Sequence, residues 1–62
     1  MSEKVFRDLR DYFGTYTKMA ALIGVSITAV QNWRRAGAIP AGSAIKIERL
    51  TGGRFKAVDL AE

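Results

Sequence analysis

The sequence predicts an all-α domain, a small bundle of four to five short helices packed around one core. Glycines divide the chain into segments of helical length, and most segments repeat apolar residues at three- and four-residue spacing. With only 62 residues the chain has the size of one domain. We therefore assign residues 1–62 to a single domain and expect little or no β-strand.

The first two predicted helices end at Gly14 and Gly24, since glycine readily adopts the left-handed conformation that follows many helices. In the first helix, "EKVFRDLRDYF", the large apolar residues fall within one arc of a helical wheel: Val5, Phe6, Leu9, Tyr12 and Phe13. Thr15 can cap the second helix, "YTKMAALI", with its hydroxyl group. Both segments are therefore predicted to be amphipathic helices that bury one face.

A third helix is predicted from Ile27 to Ala36, with Ser26 as its N-cap and Gly37 after its last residue. Only Gly24 and Val25 separate the second helix from this cap. So short a turn makes the two helices cross steeply, and residues 16–36 are therefore predicted to form a helix-turn-helix.

A fourth helix is predicted over residues 43–51, with Pro40 suited to its first turn and Gly52 and Gly53 ending it. Four of its residues share one face and are predicted to be buried: Ala44, Ile47, Leu50 and Thr51. The tail, residues 54–62, suits either a short fifth helix or an extended segment.

The third helix divides its residues between two faces. On a wheel of about 100° per residue, Val30 and Trp33 lie on one side and are predicted to anchor the helix to the core. The other side carries amide, hydroxyl and guanidinium groups, one apolar side chain and no acid: Ile27, Thr28, Gln31, Asn32, Arg34 and Arg35. Amides can pair with adenine, arginine with guanine or phosphate, and isoleucine with a thymine methyl group. This face predicts binding to DNA, because a merely solvated face would more often carry Glu–Lys pairs.

The start of the second helix is predicted to contact DNA phosphates. Tyr16, Thr17 and Lys18 provide backbone N–H groups and polar side chains there. Arg34 is assigned to phosphate as well, as a contact made alike on all sequences. The formal net charge of +4 also favours an anionic partner.

The composition argues against catalysis and metal binding. The chain has no cysteine and no histidine, which removes the usual zinc ligands and the usual general base. We expect no enzymatic activity, no cofactor, no metal and no small-molecule ligand. No apolar run approaches the roughly 20 residues that span a bilayer, and no signal segment opens the chain. We therefore expect a cytoplasmic protein without a membrane partner.

The stretch "MAALIGVSITAVQNWRRAGAIP" resembles the helix-turn-helix of the Cro family of lambdoid phage repressors, in its all-helical branch. The shared pattern comprises Ala20, Gly24, Val25, Ser26, Ala29, Val30, Trp33, Ile39 and Pro40. The resemblance implies a lambda-repressor-like fold and a repressor in the bacterial host cell that works as a dimer on a pseudo-palindromic operator. For a repressor this small, the simplest mechanism is that the bound dimer covers a promoter. It further implies that the base-reading residues are Ser26, Ile27, Thr28, Gln31, Asn32 and Arg35, and that Tyr16 and Thr17 contact phosphates.

The role of the tail and the kind of partner stay open at this point. The apolar side chains of Ile45, Phe55, Val58 and Leu60 can meet across the two-fold axis of a homodimer that is weak without DNA. Alternatively, Phe55 and Leu60 fold back onto the chain's own core. The alternative functions are a helix-turn-helix module that binds protein, or a non-phage bacterial regulator such as an antitoxin. The polar, basic face of the third helix favours DNA.

Overall fold

The computed structural model describes residues 3–61, and this part of the chain contains five helices and no strand. The helices are α1 (Glu3–Phe13), α2 (Tyr16–Ile23), α3 (Ile27–Ala36), α4 (Ala41–Leu50) and α5 (Ala57–Leu60). The all-α prediction is confirmed, and the tail forms a short fifth helix instead of an extended segment. Across residues 3–61, no helix has the length and apolar character needed to cross a membrane.

The turn between α2 and α3 is fixed by local hydrogen bonds. The hydroxyl oxygen of Ser26 accepts the backbone N–H of Ala29 at 3.2 Å and so begins α3. Gly24 ends α2 with a φ of 87°, and its N–H donates to the carbonyl of Ala20 at 2.8 Å. Only residues 24–26 connect the two helices, and the predicted helix-turn-helix is formed.

The core receives side chains from all five helices and from the connection between α3 and α4. Its buried apolar members are Phe6, Leu9, Met19, Ala20, Ile23, Val30, Trp33, Ile39, Ala44, Ile47 and Leu60. Val30 and Trp33 are among them, which confirms that these two residues anchor α3. The α3 face that carries them is therefore fixed, and the opposite face is left to solvent.

Two residues predicted for the core are exposed. Tyr12 stands at the edge of the α1 stripe, where its ring packs edge-on against Phe55 at a centroid distance of 5.8 Å. Leu50 lies roughly 90° from the centre of the stripe that Ala44, Ile47 and Thr51 form on α4, so no helix covers it. α4 also begins at Ala41, two residues before the predicted start.

The tail folds back onto the chain's own core, which corrects the expectation that Leu60 contributes to a dimer contact. The Leu60 side chain has no exposed surface, and its carbonyl accepts the N–H of Ile39 at 2.9 Å. At the other end of α5, the carboxylate of Glu48 accepts the N–H of Ala57 at 2.7 Å. A domain this small needs such apolar side chains for its own interior, because it buries a modest fraction of its surface on folding.

Candidate nucleic-acid interface

Most of the net positive charge of the chain comes from the segment that contains α2 and α3. Residues 16–36 contain three of the ten Lys/Arg residues and none of the six Asp/Glu residues. They therefore carry +3 of the formal net charge of +4, although they make up about a third of the chain. The acids in the described part of the chain lie on α1, α4 and α5. An anionic partner is attracted to the helix-turn-helix in preference to the rest of the surface.

All six residues predicted to read bases are exposed on one side of the helix-turn-helix: Ser26, Ile27, Thr28, Gln31, Asn32 and Arg35. The buried Val30 and Trp33 hold α3 from the opposite side. Ile27, an apolar residue with 37% of its surface exposed, opens the helix at the end that enters a major groove most deeply in proteins with this motif. The arrangement leaves these side chains accessible to a ligand.

Ser26 caps α3 in addition to its predicted contact with a base. Its hydroxyl oxygen accepts the Ala29 N–H, while the hydroxyl proton is still available to a partner. Further along the helix, Gln31 lines an open surface depression together with Arg34 and Arg35. The amide and the two guanidinium groups therefore border the same small region of the surface, which suits a ligand with both base and phosphate groups.

Tyr16, which is predicted to contact phosphate, also contacts both of the helices that neighbour α2 in the chain, α1 and α3. Its hydroxyl group donates a hydrogen bond to the backbone carbonyl of Phe6 in α1 at 3.1 Å. The guanidinium of Arg34 lies over its ring, with the Cζ atom 4.6 Å from the ring centroid. The structure thus brings together two residues predicted separately to contact phosphate. No sequence signal indicates this pairing, because the two residues lie on different helices.

The remaining predicted phosphate contacts surround the N-terminus of α2. Thr15 caps this helix by accepting the N–H of Lys18 at 3.0 Å. The first N–H groups of a helix have no partner within the helix, so those of Tyr16 and Thr17 point towards the outside. The Lys18 ammonium group lies over Gly14, where an added Cβ would be 3.9 Å from the Nζ atom. Lys18 therefore stays close to the residues that precede α2.

The residues predicted to mediate dimerisation are only partly available. Val58 and Ile45 are 72% and 46% exposed, whereas Phe55 is half-buried against the core. Ile45 lies three residues before Glu48, whose carboxylate accepts the first N–H of α5, and Val58 is the second residue of α5. With Leu60 buried, the exposed apolar surface at this junction is small. Sequence reasoning missed Glu48, because its partner Ala57 lies on another helix.

Comparison with known proteins agrees with this arrangement. Residues 7–60 match the family model described as DNA-binding transcriptional regulator Cro, a family of regulators and not a class of enzymes. A bacteriophage origin fits the Cro name. No curated protein and no solved structure matches the chain significantly. The family match runs from α1 to the last residue of α5 and includes the whole helix-turn-helix. The chain belongs to the Cro family of DNA-binding transcriptional regulators.

Proposed function

We propose that this protein is a sequence-specific repressor that binds a pseudo-palindromic operator in double-stranded DNA as a homodimer. The bound dimer would cover a promoter and exclude polymerase. Family membership supports DNA binding and transcriptional regulation. The observation that carries the finer proposal is the exposed face of α3, which is polar and free of acids on a helix anchored by Val30 and Trp33.

The side chains on this face suit direct readout of base pairs. Gln31 and Asn32 can each form two hydrogen bonds with the edge of an adenine, and Arg35 can do so with guanine. Ser26 and Thr28 carry hydroxyl groups that serve as donor or acceptor, and Ile27 can contact a thymine methyl group. A single good bidentate pair discriminates by about 1–3 kcal/mol, so several pairs on the two recognition helices of a dimer can add up to the roughly 4–10 kcal/mol that separates specific from non-specific binding.

A dimer is supported by the dimensions of the domain. The described chain measures 22 × 22 × 20 Å and carries one recognition helix. Successive major grooves on one face of DNA are about 34 Å apart, which one such domain cannot span. Two copies are therefore needed to read an inverted repeat. The exposed Ile45 and Val58, next to Phe55, are the candidate contact between them.

The candidate dimer contact is small, so we expect dimerisation to be weak without DNA. A stable protein–protein interface buries roughly 800 Å² on each partner, which requires some 20 or more residues. Two exposed apolar side chains and a half-buried phenylalanine fall well short of this. DNA would bring two copies together on adjacent half-sites and add the missing binding energy through effective concentration.

The proposal can be tested by selecting bound duplexes from a randomised DNA library at near-physiological salt. Enrichment of an inverted repeat with half-sites one helical turn apart is the expected result. Binding without enrichment would refute sequence-specific reading and leave only attraction to phosphates. No binding would favour the protein-binding module instead.

A substitution in α3 tests the assignment of base reading. Gln31→Ala should weaken binding to the selected site by about 1–3 kcal/mol and leave binding to random duplex nearly unchanged. Arg49→Ala removes an exposed residue from the last turn of α4 and provides a control that should not alter discrimination. Equal losses on selected and random DNA for Gln31→Ala would show that this residue does not read a base.

A further inference from the structure

Tyr16 connects three helices through a single side chain. It is the first residue of α2, its hydroxyl donates to the carbonyl of Phe6 in α1, and its ring lies under the guanidinium of Arg34 from α3. The ring also packs against the hydrophobic core. The hydrogen bond and the packing fix the ring on one side, and its other face is occupied by the arginine.

The guanidinium of Arg34 lies against the Tyr16 ring, and Glu3 and Phe6 of α1 line the same surface depression as Arg34. In residues 3–61, no carboxylate lies within 4.0 Å of the Arg34 guanidinium, and the side chain is exposed. An unrestrained arginine loses considerable rotamer freedom when it binds a ligand. Stacking on an aromatic face restrains the guanidinium plane in advance and leaves the N–H groups at its edge available to a phosphate.

The location of Arg34 on α3 separates its role from that of Arg35. On a wheel of about 100° per residue, Arg34 lies at the edge of the exposed face, whereas Arg35 lies near its centre. Arg34 is thus at the side of α3 that meets Tyr16 at the start of α2. In the described part of the chain, Arg35 stacks on no aromatic ring.

We propose that Tyr16 is a positioning residue, which holds the Arg34 guanidinium in place for a phosphate of the DNA backbone. The inference rests on the proposed binding of DNA and adds an indirect role for a residue that was predicted to contact phosphate itself. Because the Tyr16 hydroxyl proton is engaged by Phe6, the ring and not the hydroxyl group supports DNA binding.

Affinity for random duplex DNA, measured over a series of salt concentrations, tests the inference. Tyr16→Leu removes the ring and is expected to weaken binding to all sequences about three- to fivefold, which corresponds to the stacking of an exposed arginine. Tyr16→Phe keeps the ring, and its affinity for DNA should stay within twofold of the wild type. Its urea midpoint should fall, because the hydrogen bond to the Phe6 carbonyl is lost. Arg34→Ala should lower the salt slope by about one unit for each bound copy, whereas Tyr16→Leu should leave the slope unchanged.

Double mutants test whether Tyr16 acts on DNA binding through Arg34. Tyr16→Leu should have no further effect on binding in an Arg34→Ala background, and should keep its full effect in an Arg35→Ala background. An equal effect in both backgrounds, or a loss for Tyr16→Phe as large as for Tyr16→Leu, would overturn the inference.

Arg34→Lys provides a second route if Tyr16→Leu does not fold, because it keeps the charge and leaves the core intact. A three- to fivefold loss is expected for Arg34→Lys as well, since lysine lacks the flat guanidinium that stacks on the ring. Wild-type affinity for this variant would overturn the inference. Failure of the wild type to bind any DNA would refute the proposed function itself. If the wild type binds DNA and the substitutions leave its affinity unchanged, only the role of Tyr16 is refuted.

Discussion

Replacing Leu60 by alanine tests where the C-terminal tail docks. Leu60 is the fully buried residue of the four-residue α5, and Phe55 and Ala57 of the tail are partly buried against the same core. A buried Leu→Ala substitution costs about 2–5 kcal/mol. At roughly 0.05–0.15 kcal/mol per residue, a domain of this size has a total stability on the order of 3–9 kcal/mol. We expect Leu60→Ala to remove about 3 kcal/mol, a large share of that total.

Two measurements detect the loss. Urea unfolding reports the global stability, and hydrogen exchange of the Ile39 amide reports the docking of the tail, because this amide donates to the carbonyl of Leu60 at 2.9 Å. A loss of about 3 kcal/mol corresponds to roughly 150-fold faster exchange of that amide. Val58→Ala is the matched control, since Val58 lies in the same helix but is 72% exposed. It should change the stability by no more than about 0.5 kcal/mol.

The reasoning is refuted by one combination of results. If Leu60→Ala unfolds at the wild-type urea concentration and exchanges Ile39 at the wild-type rate, Leu60 does not hold the tail in the core. A simultaneous loss of self-association would then place Leu60 at the dimer contact, as the sequence first suggested.

Five further substitutions have expected outcomes. Glu48→Ala removes the acceptor for the Ala57 N–H and should lower the urea-derived stability by about 1–3 kcal/mol, whereas Glu48→Gln keeps an acceptor oxygen and should lose less. Gly24→Ala places a side chain at a φ of 87° and should lower the urea-derived stability by about 1–2 kcal/mol. Gly42→Ala is the contrasting case: no atom lies within 4 Å of the new Cβ, and the stability should rise by about 0.5–1 kcal/mol. Val58→Asp should weaken self-association in sedimentation without lowering monomer stability, and unchanged association would exclude Val58 from the contact.

Helix boundaries could be predicted where the deciding contacts are local. The hydroxyl groups of Thr15 and Ser26 cap residues three positions ahead, and the N–H groups of Gly14, Gly24 and Gly37 donate to carbonyls four positions back. These contacts join residues only three or four positions apart, so the sequence alone is sufficient to predict them. The exposure of Tyr12 and Leu50 could not be predicted in this way, because it depends on which neighbouring helix covers the edge of each apolar stripe.

In the candidate site, too, local features were predictable from the sequence and contacts between helices were not. The exposed face of α3 follows from the apolar residues on its other side, so a helical wheel was sufficient to find it. The contacts of Tyr16 join residues 10 and 18 positions apart in sequence, and only the packing of α1, α2 and α3 reveals them. The docking of α5 through Glu48 and Leu60 was likewise decided by tertiary contacts.

The distribution of charge limits how this protein can bind its operator. If Lys18 and Arg34 are the side chains that neutralise phosphates, a dimer neutralises about four, which gives a salt slope of about −3.6. Binding to random DNA would then fall only about 150-fold between 50 and 200 mM salt, and it would be weak to begin with. Affinity for an operator must therefore come largely from the amides, hydroxyl groups and Arg35 of two recognition helices. A single copy has one recognition helix and a small dimer contact, so it would dissociate from DNA quickly. It would stay bound only where a second half-site lies at the right distance for a second copy. The requirement for an inverted repeat follows from the weakness of each separate contact.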